Sequence, residues 1–401
     1  MDLKRLIENF DHHAPEFAED PWTVYETLRD KCPVLHTEAH GGYWVVSRYR
    51  DVAAIARDDG TFLSSQGITI PAASGLSIPI DIDPPEFFSY RKLLQPLFSP
   101  SAVARLEPAI RAVATDLIDE VIEDGHCDIH DALAKPLPAR MTFQMLGFPP
   151  DIWRDYVDPL EGSTSSSGEA RQQAMSRFSR FFEVITETKA ARRREPKDDI
   201  VSFLQSAEIE GRPLTEEEID AVINLILAGG LLTTTDAIGN ALIYLERDRE
   251  ARRRLIEEPE LMRSAIEEFL RYEAPVTGLA RTVSKDCEVD GQKIRKGEKV
   301  LMLWASANRD EQEFPSPNEV VLDRHPNRHV AFGVGIHRCL GSNFGRLEFQ
   351  IALEEVLRRM PDYTIGLDEI RPSPDVGTTY GRLAIPMTFK PGPRERANPG
   401  R

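Results

Sequence analysis

The sequence predicts a mainly α, α+β chain with small β-sheets, and three observations predict it. Residues 102–123, 169–194, 216–247 and 344–359 carry apolar side chains at helical spacing. Strand-like runs are confined to 43–47, 287–304 and 383–389, the first following a Gly41-Gly42 turn. The composition, 41% hydrophobic and 29% charged over 401 residues, supplies enough apolar material for a large buried core.

Taken in order, the first unusual segment is 62–80, where 19 consecutive residues include no Asp, Glu, Lys or Arg. At this composition a given window does so with a chance of about 0.002. Its prolines, glycines and serines exclude a membrane helix and predict a long apolar loop, either a mobile lid over a pocket or a buried connection. Residues 161–168, Glu-Gly-Ser-Thr-Ser-Ser-Ser-Gly, predict a mobile loop. At 216–247, Thr215 and Glu218 have the spacing of a capping box, so one long helix is expected to start there. Its middle, Gly229-Gly230-Leu231-Leu232-Thr233-Thr234-Thr235, is a poor helix former. The glycines serve either close helix packing or the approach of a ligand to the backbone. The tail 391–401, rich in Pro, Gly and Arg, is expected to be disordered.

Charge and cysteine content exclude several functions. With 49 basic and 66 acidic residues, the net charge is −17, the opposite of a nucleic-acid or anionic-lipid footprint. No run of about 18 apolar residues marks a membrane span. The opening Met1-Asp2-Leu3-Lys4-Arg5 lacks the apolar core of a signal peptide, so a cytoplasmic location is expected. Cys32, Cys127, Cys287 and Cys339 lie too far apart in sequence to suggest a disulfide framework or a zinc site. A special cysteine in such a chain is a ligand or a nucleophile.

One cysteine stands in a distinctive pattern. Phe332-Gly-Val-Gly-Ile-His-Arg-Cys-Leu-Gly341 fits Phe-x-x-Gly-x-x-x-Cys-x-Gly, which this composition would produce somewhere with a chance of about 0.0007. Glu268 and Arg271 lie three apart on a helical stretch, with Arg324 just ahead of the cysteine loop. The cysteine loop resembles the haem-binding loop of the cytochrome P450 superfamily, and the resemblance runs from Pro21-Trp22 through Pro386, nearest to soluble bacterial members of camphor-hydroxylase type.

The resemblance implies a cytochrome P450 fold, a single haem-thiolate monooxygenase domain spanning 1–401, and haem b (iron protoporphyrin IX) as cofactor. Cys339 takes the iron-ligand position, with Phe332, Gly333 and Gly341 around it. A thiolate pushes electron density onto haem iron and favours O–O cleavage. Arg91, Arg281 and His337 take propionate positions, each with an alternative as an ordinary surface charge or satisfied polar residue. Glu268, Arg271 and Arg324 form a buried structural triad. Thr233 takes the alcohol position of the oxygen-binding segment. The sequence departs from the family pattern at Leu232, where an acid is usual, leaving Asp236 as a substitute proton source or merely a solvated or capping residue. It departs again at Phe87, where relatives often carry His. Substrate contacts carried over by position are the 62–80 loop, Phe87, Ala228, Gly229, Leu232, Val276, Leu279 and 378–380, including Thr379.

The function implied is insertion of one atom of O2 into a small apolar organic substrate, a terpenoid, alkaloid or aromatic. No flavin or iron–sulfur motif is visible, so electrons are expected from a ferredoxin and an NAD(P)H-dependent ferredoxin reductase. Neither nucleic acid nor membrane is an expected partner, and a monomer is expected. Arg324, Arg328, Arg338, Arg346, Arg358 and Arg359 crowd the sequence around Cys339 as a docking surface for an acidic donor, with Arg324 discounted because the triad buries it. The alternatives are a peroxide-using or rearranging haem-thiolate enzyme, suggested by Leu232, and a haem-based binding or sensing protein.

Overall fold

A computed structural model describes residues 3–73, 75–163 and 169–396. The chain forms two compact units, one drawn from Met1–Phe88, Glu257–Ser342 and Asp375–Gly381, the other from Ser89–Ile256, Asn343–Pro374 and Arg382–Arg401.

The first unit is organised by a five-stranded sheet in the order Val34–Thr37, Tyr43–Val46, Lys299–Met302, Leu279–Val283, Phe62–Leu63. The central strand runs parallel to Tyr43–Val46 and antiparallel to Leu279–Val283, so Arg281 pairs with Val300. Val300, Leu301 and Met302 are all buried, as expected of a strand covered on both faces. One side packs against Tyr25, Leu28 and Tyr380, the other against Ile55, Trp304 and Val330. The 62–80 segment is irregular after Leu63 but firmly attached. The carbonyls of Gln66 and Gly67 accept from Lys299 Nζ at 2.5 and 2.9 Å, and that of Ile68 accepts from the Ala280 N–H at 2.6 Å. Ile70 and Ile78 are buried. An unattached flap would show none of this; the loop is pinned along 66–70, is exposed at 71–73 and 75–76, and is buried again at Ile78.

The second unit is helical. The expected 102–123 helix is two, Pro100–Ala104 and Glu107–Val121, because Pro108 lacks an N–H and fits only a first turn. The 216–247 helix is likewise two: Glu216–Gly230 and Leu232–Arg247, broken at Leu231 (φ −97°, ψ −79°). The capping box forms as expected, with Thr215 Oγ1 accepting from the Glu218 N–H and Glu218 accepting from the Thr215 N–H. By length and mean hydropathy, 1.6, the Glu216–Arg247 stretch would pass for a membrane span. Within the second unit it is instead an interrupted core pair, with Val222, Leu227, Ile238 and Leu242 buried.

Residues 161–163 continue the Trp153–Ser163 helix rather than opening a loop; 164–168 lie outside the described residues. The expected disorder from 391 onward does not hold for 391–396. Asp119 accepts the backbone N–H groups of Glu395 and Arg396, Arg394 pairs with Glu123 at 2.9 Å, and Arg396 pairs with Asp116 at 2.9 Å. Residues 397–401 lie outside the described residues. No disulfide joins any of the four cysteines.

Candidate active site

The loop that ends in Cys339 is shaped by its glycines. Gly333 and Gly335 have φ of +67° and +83°, values that L side chains rarely adopt. At Gly335 a Cβ would lie 2.3 Å from the Ala56 carbonyl oxygen, so the turn closes onto that backbone only with glycine. The Gly333 N–H donates to the Val330 carbonyl and the Cys339 N–H to the Phe332 carbonyl, both at 2.8 Å. Cys339 is thereby held three residues ahead of the Ser342–Arg359 helix, its side chain exposed.

The loop is braced from behind. Glu268, on the Met262–Tyr272 helix, is 0% exposed. It accepts from Arg271 Nε and Nη2 at 2.8 Å, from Arg324 Nε at 3.0 Å, from Asn327 Nδ2 at 3.1 Å and from the Val321 N–H at 2.9 Å. Arg271 Nη1 donates to the carbonyls of Asn308 and Pro317, and Nη2 to that of Glu319. Asn308 Oδ1 then accepts the Val330 N–H at 2.7 Å, two residues before Phe332. The three residues expected to form a triad do so, and the contacts continue to the cysteine loop.

Arg281 carries the strongest sign of a missing anion. It is 4% exposed, its one described hydrogen bond runs from Nη1 to the Ala280 carbonyl at 2.8 Å, and no ion pair holds it among the described residues. Burial pulls its pKa down to about 10, against the opposing charges of Asp83 and Asp81. A buried guanidinium with unspent donors is costly unless a carboxylate completes it, and a haem propionate is such a carboxylate. His337 lies in the same unit, with Ser64 Oγ at 3.3 Å from Nε2 and the Phe87 ring centroid at 4.4 Å. That contact corrects the assignment of Phe87 to substrate: the ring is 1% exposed and serves to pack His337.

Of the residues expected to face substrate, Val276 and Thr379 are paired across a β-bridge, and Leu279 pairs with Met302 in the sheet. The Thr277 N–H donates to the Thr378 carbonyl, and the Tyr380 N–H donates to the Pro275 carbonyl. The Val276, Leu279 and Thr379 side chains are partly exposed.

In the second unit, the two glycines ahead of the helix break have different surroundings. A Cβ at Gly230 would meet Thr142 Oγ1 at 2.9 Å, so Gly230 serves packing. A Cβ at Gly229 would meet nothing within 4 Å among the described residues, and Ala228 beside it is exposed. Thr233 Oγ1 donates to the Gly229 carbonyl at 2.9 Å, covering an acceptor beside the break. Leu232 is partly exposed; Asp236 is buried, which removes the solvated alternative. Arg91 lies on the Glu86–Leu94 helix, partly exposed.

The expected basic docking surface shrinks. Beyond Arg324, already discounted and bound to Glu268, Arg358 is spent on Glu355 and Glu395, and Arg359 on Asp119. Arg328 and Arg338 remain exposed.

Sequence reasoning also missed a buried acid. Glu348, nine positions after Cys339, is 0% exposed and neither carboxyl oxygen has a hydrogen-bond partner among the described residues. Burial raises its pKa well above the usual carboxylate range and so favours the neutral acid. The available signal was an acid between Phe344, Phe349 and Ile351 on one helix. The unfolded chain ionises this group while the folded chain keeps its proton. Stability is therefore lost, by about 1.4 kcal/mol per pH unit, as pH rises above the unfolded pKa. Glu348→Gln escapes this, so its stability advantage in urea melts is expected to grow from pH 5 to pH 7; a constant difference would contradict a neutral Glu348.

A cysteine in a glycine-formed loop, a buried carboxylate–guanidinium brace and a buried arginine lacking its anion define a haem-thiolate protein, and the residues present fit that group. The family model for cytochrome P450 matches residues 140–373. A steroid C26-monooxygenase of Mycobacterium tuberculosis is 36% identical over 376 residues, covering 92% of this chain and 94% of that protein. Cytochrome P450 109 of Bacillus spizizenii is 35% identical, covering 96% of each chain. A Bacillus megaterium cytochrome P450 crystallised with testosterone superposes with a TM-score of 0.84 at 32% identity, over 94% of this chain and 99% of that one. The chain belongs to the cytochrome P450 family. It is a haem-dependent monooxygenase, which sets aside the binding or sensing alternative.

Proposed function

We propose that the chain hydroxylates an apolar polycyclic substrate of steroid or terpenoid type. The observation that carries this reading is the partly exposed Val276–Thr379 bridge, with Leu279 beside the point where Ala280 bonds a 62–80 segment that has no charge to anchor a carboxylate. The Mycobacterium tuberculosis relative is named for steroid oxidation and the Bacillus megaterium structure holds testosterone, which supports the choice. When bound, haem supplies the iron centre at which O2 is reduced and one of its atoms passes to substrate. In this reading Cys339 Sγ ligates the iron, Arg281, Arg91 and His337 hold the propionates, and Phe332, Gly333 and Gly341 line the cofactor. Ala228, Gly229 and Leu232 add apolar substrate surface, and Thr233 Oγ1 passes a proton through ordered water, with Asp236 as its reserve.

The whole chain, 1–401, works as one haem-thiolate domain and as a monomer. A ferredoxin and its NAD(P)H-dependent reductase supply electrons, docking against Arg328 and Arg338. A cytoplasmic location follows, since both are reduced there. A second reading, peroxide-driven oxidation or rearrangement, is favoured by Leu232, which cannot relay a proton, and by the hydrogen bond that occupies Thr233 Oγ1.

The test is titration of the ferric holoenzyme with testosterone, read by the haem spin-state shift. Saturable shift is expected, weakened about tenfold or more in Leu232→Asp, which sets a charge against an apolar ligand. No shift with testosterone or a terpenoid ketone would overturn the substrate class. Undiminished binding in Leu232→Asp would remove Leu232 from the pocket wall.

A further inference from the structure

A histidine-rich cluster in the first unit has no part in the reaction described so far. His13 Nδ1 lies 2.8 and 2.9 Å from Asp375 Oδ2 and Oδ1, while its Nε2 lies 2.7 Å from the Ile70 carbonyl oxygen. A carbonyl only accepts, as does a carboxylate when ionised. Against the opposing effect of burial, hydrogen bonds from His13 and the Gly377 N–H hold Asp375 below the usual carboxylate range. Both ring nitrogens then donate, the arrangement of an imidazolium. Asp375 also accepts the Gly377 N–H, and a Cβ at Gly377 would lie 2.5 Å from His13 Nδ1, so the ring is seated tightly on that backbone.

The two partners of His13 are far apart in sequence and belong to two substrate-facing segments. Ile70 is in the uncharged 62–80 loop. Asp375 leads into 376–380, where Thr277 Oγ1 donates to the carbonyls of Val376 and Gly377. We propose that His13 is a positioning residue for the substrate pocket: its imidazolium clamps the 62–80 loop to the 375–380 segment, and its deprotonation releases the loop. That these segments face substrate rests on the function proposed above.

The surrounding charges favour the clamped, protonated form. Asp375 raises the His13 pKa chiefly through the hydrogen bond, ahead of the opposing effect of burial, and the Ile70 carbonyl and Asp11 add to it. Asp11 accepts the His13 backbone N–H and faces His40 Nε2 at 2.9 Å. The His12 ring, 4.1 Å from that of His13, is held neutral by burial, its pKa down to about 3, and its Nδ1 meets Tyr43 Oη at 2.8 Å. His40 lies 5.5 Å from His13. On the loop's other attachment stands Lys299. Because the folded pKa of His13 is raised, the clamp is complete below the ordinary imidazole value and is lost as pH rises through the folded one. The remaining proton stays on Nδ1 beside the carboxylate, leaving an Nε2 lone pair against the Ile70 oxygen.

The experiment is hydrogen exchange of the ligand-free ferric holoenzyme, followed over the 66–78 peptide from pH 6 to pH 9 and corrected for intrinsic exchange. Protection is expected to fall about tenfold through the His13 transition, the scale of losing one charge-assisted hydrogen bond. Asp375→Asn should move that fall to lower pH, and His13→Gln should abolish it. A flat wild-type profile, or one unchanged in either variant, overturns the clamp. The testosterone dissociation constant should follow the same profile; a pH-independent constant beside a pH-dependent loop overturns the positioning role. Failure of any steroid to bind would reject the substrate reading alone, because the exchange profile requires no ligand.

Discussion

Cys339→His is expected to fold, bind haem and lose nearly all monooxygenation, by roughly a hundredfold or more. The loop does not depend on the cysteine side chain for its shape. Gly333 and Gly335 set the turn, Ala56 backs it, and the Cys339 contribution is its backbone N–H to the Phe332 carbonyl. Histidine supplies the same N–H and a competent iron ligand, so haem content should survive. What it cannot supply is the anionic electron push of a thiolate that favours O–O cleavage. The carbon monoxide difference spectrum should therefore lose its thiolate form in step with product formation. Retention of the thiolate-type spectrum in Cys339→His would mean that another residue holds the iron.

Much of this site was legible in the sequence because it is written at short range. The cysteine loop spans ten residues, and Glu268 and Arg271 sit one helical turn apart. The joining of Arg324 to them came from family resemblance, and the structure adds the backbone carbonyls that share the two guanidiniums. What the sequence hid depends on tertiary placement. A poor helix former at 229–235 costs propensity, but whether the chain bends or merely strains there is settled by packing, with Thr142 against Gly230 and open space at Gly229. Phe87 read as a pocket wall because its position suggested it; the ring of His337 claims it instead. Glu348 reads as an ordinary helical acid until its neighbours bury it. His13 and Asp375 are 362 residues apart, a separation at which no local pattern can pair them. The ordered part of the tail escaped for the same reason, since Asp119 and Glu123, far back in the chain, hold 394–396.

Glu268→Gln is expected to cost several kcal/mol of stability and to loosen the haem loop. One carboxylate here answers two guanidiniums. Arg271 is fully buried and Arg324 nearly so. Removing one partner of a buried ion pair costs about 3–5 kcal/mol, because the remaining charge stays desolvated. Against a total stability of about 5–15 kcal/mol, that is enough to unfold a marginal protein. The amide keeps the shape and the acceptor oxygen for the Val321 N–H but turns the second oxygen into a donor facing cations. Should it not fold, graded variants still test the brace. Arg271→Lys forfeits the bidentate pair and leaves the Pro317 and Glu319 carbonyls short of donors. Arg324→Lys is milder, because its Nη1 and Nη2 contacts, to the Pro315 and Ser316 carbonyls, lie at the exposed edge. Haem loss on mild urea should therefore rank Glu268→Gln above Arg271→Lys above Arg324→Lys. The path to the cysteine runs through Asn308, whose carbonyl accepts from Arg271 and whose side chain accepts the Val330 N–H. Variants that free Asn308 should thus convert the carbon monoxide complex from its thiolate form before they release haem. If haem departs while the thiolate spectrum of the remaining fraction is intact, the brace stabilises the unit without positioning Cys339.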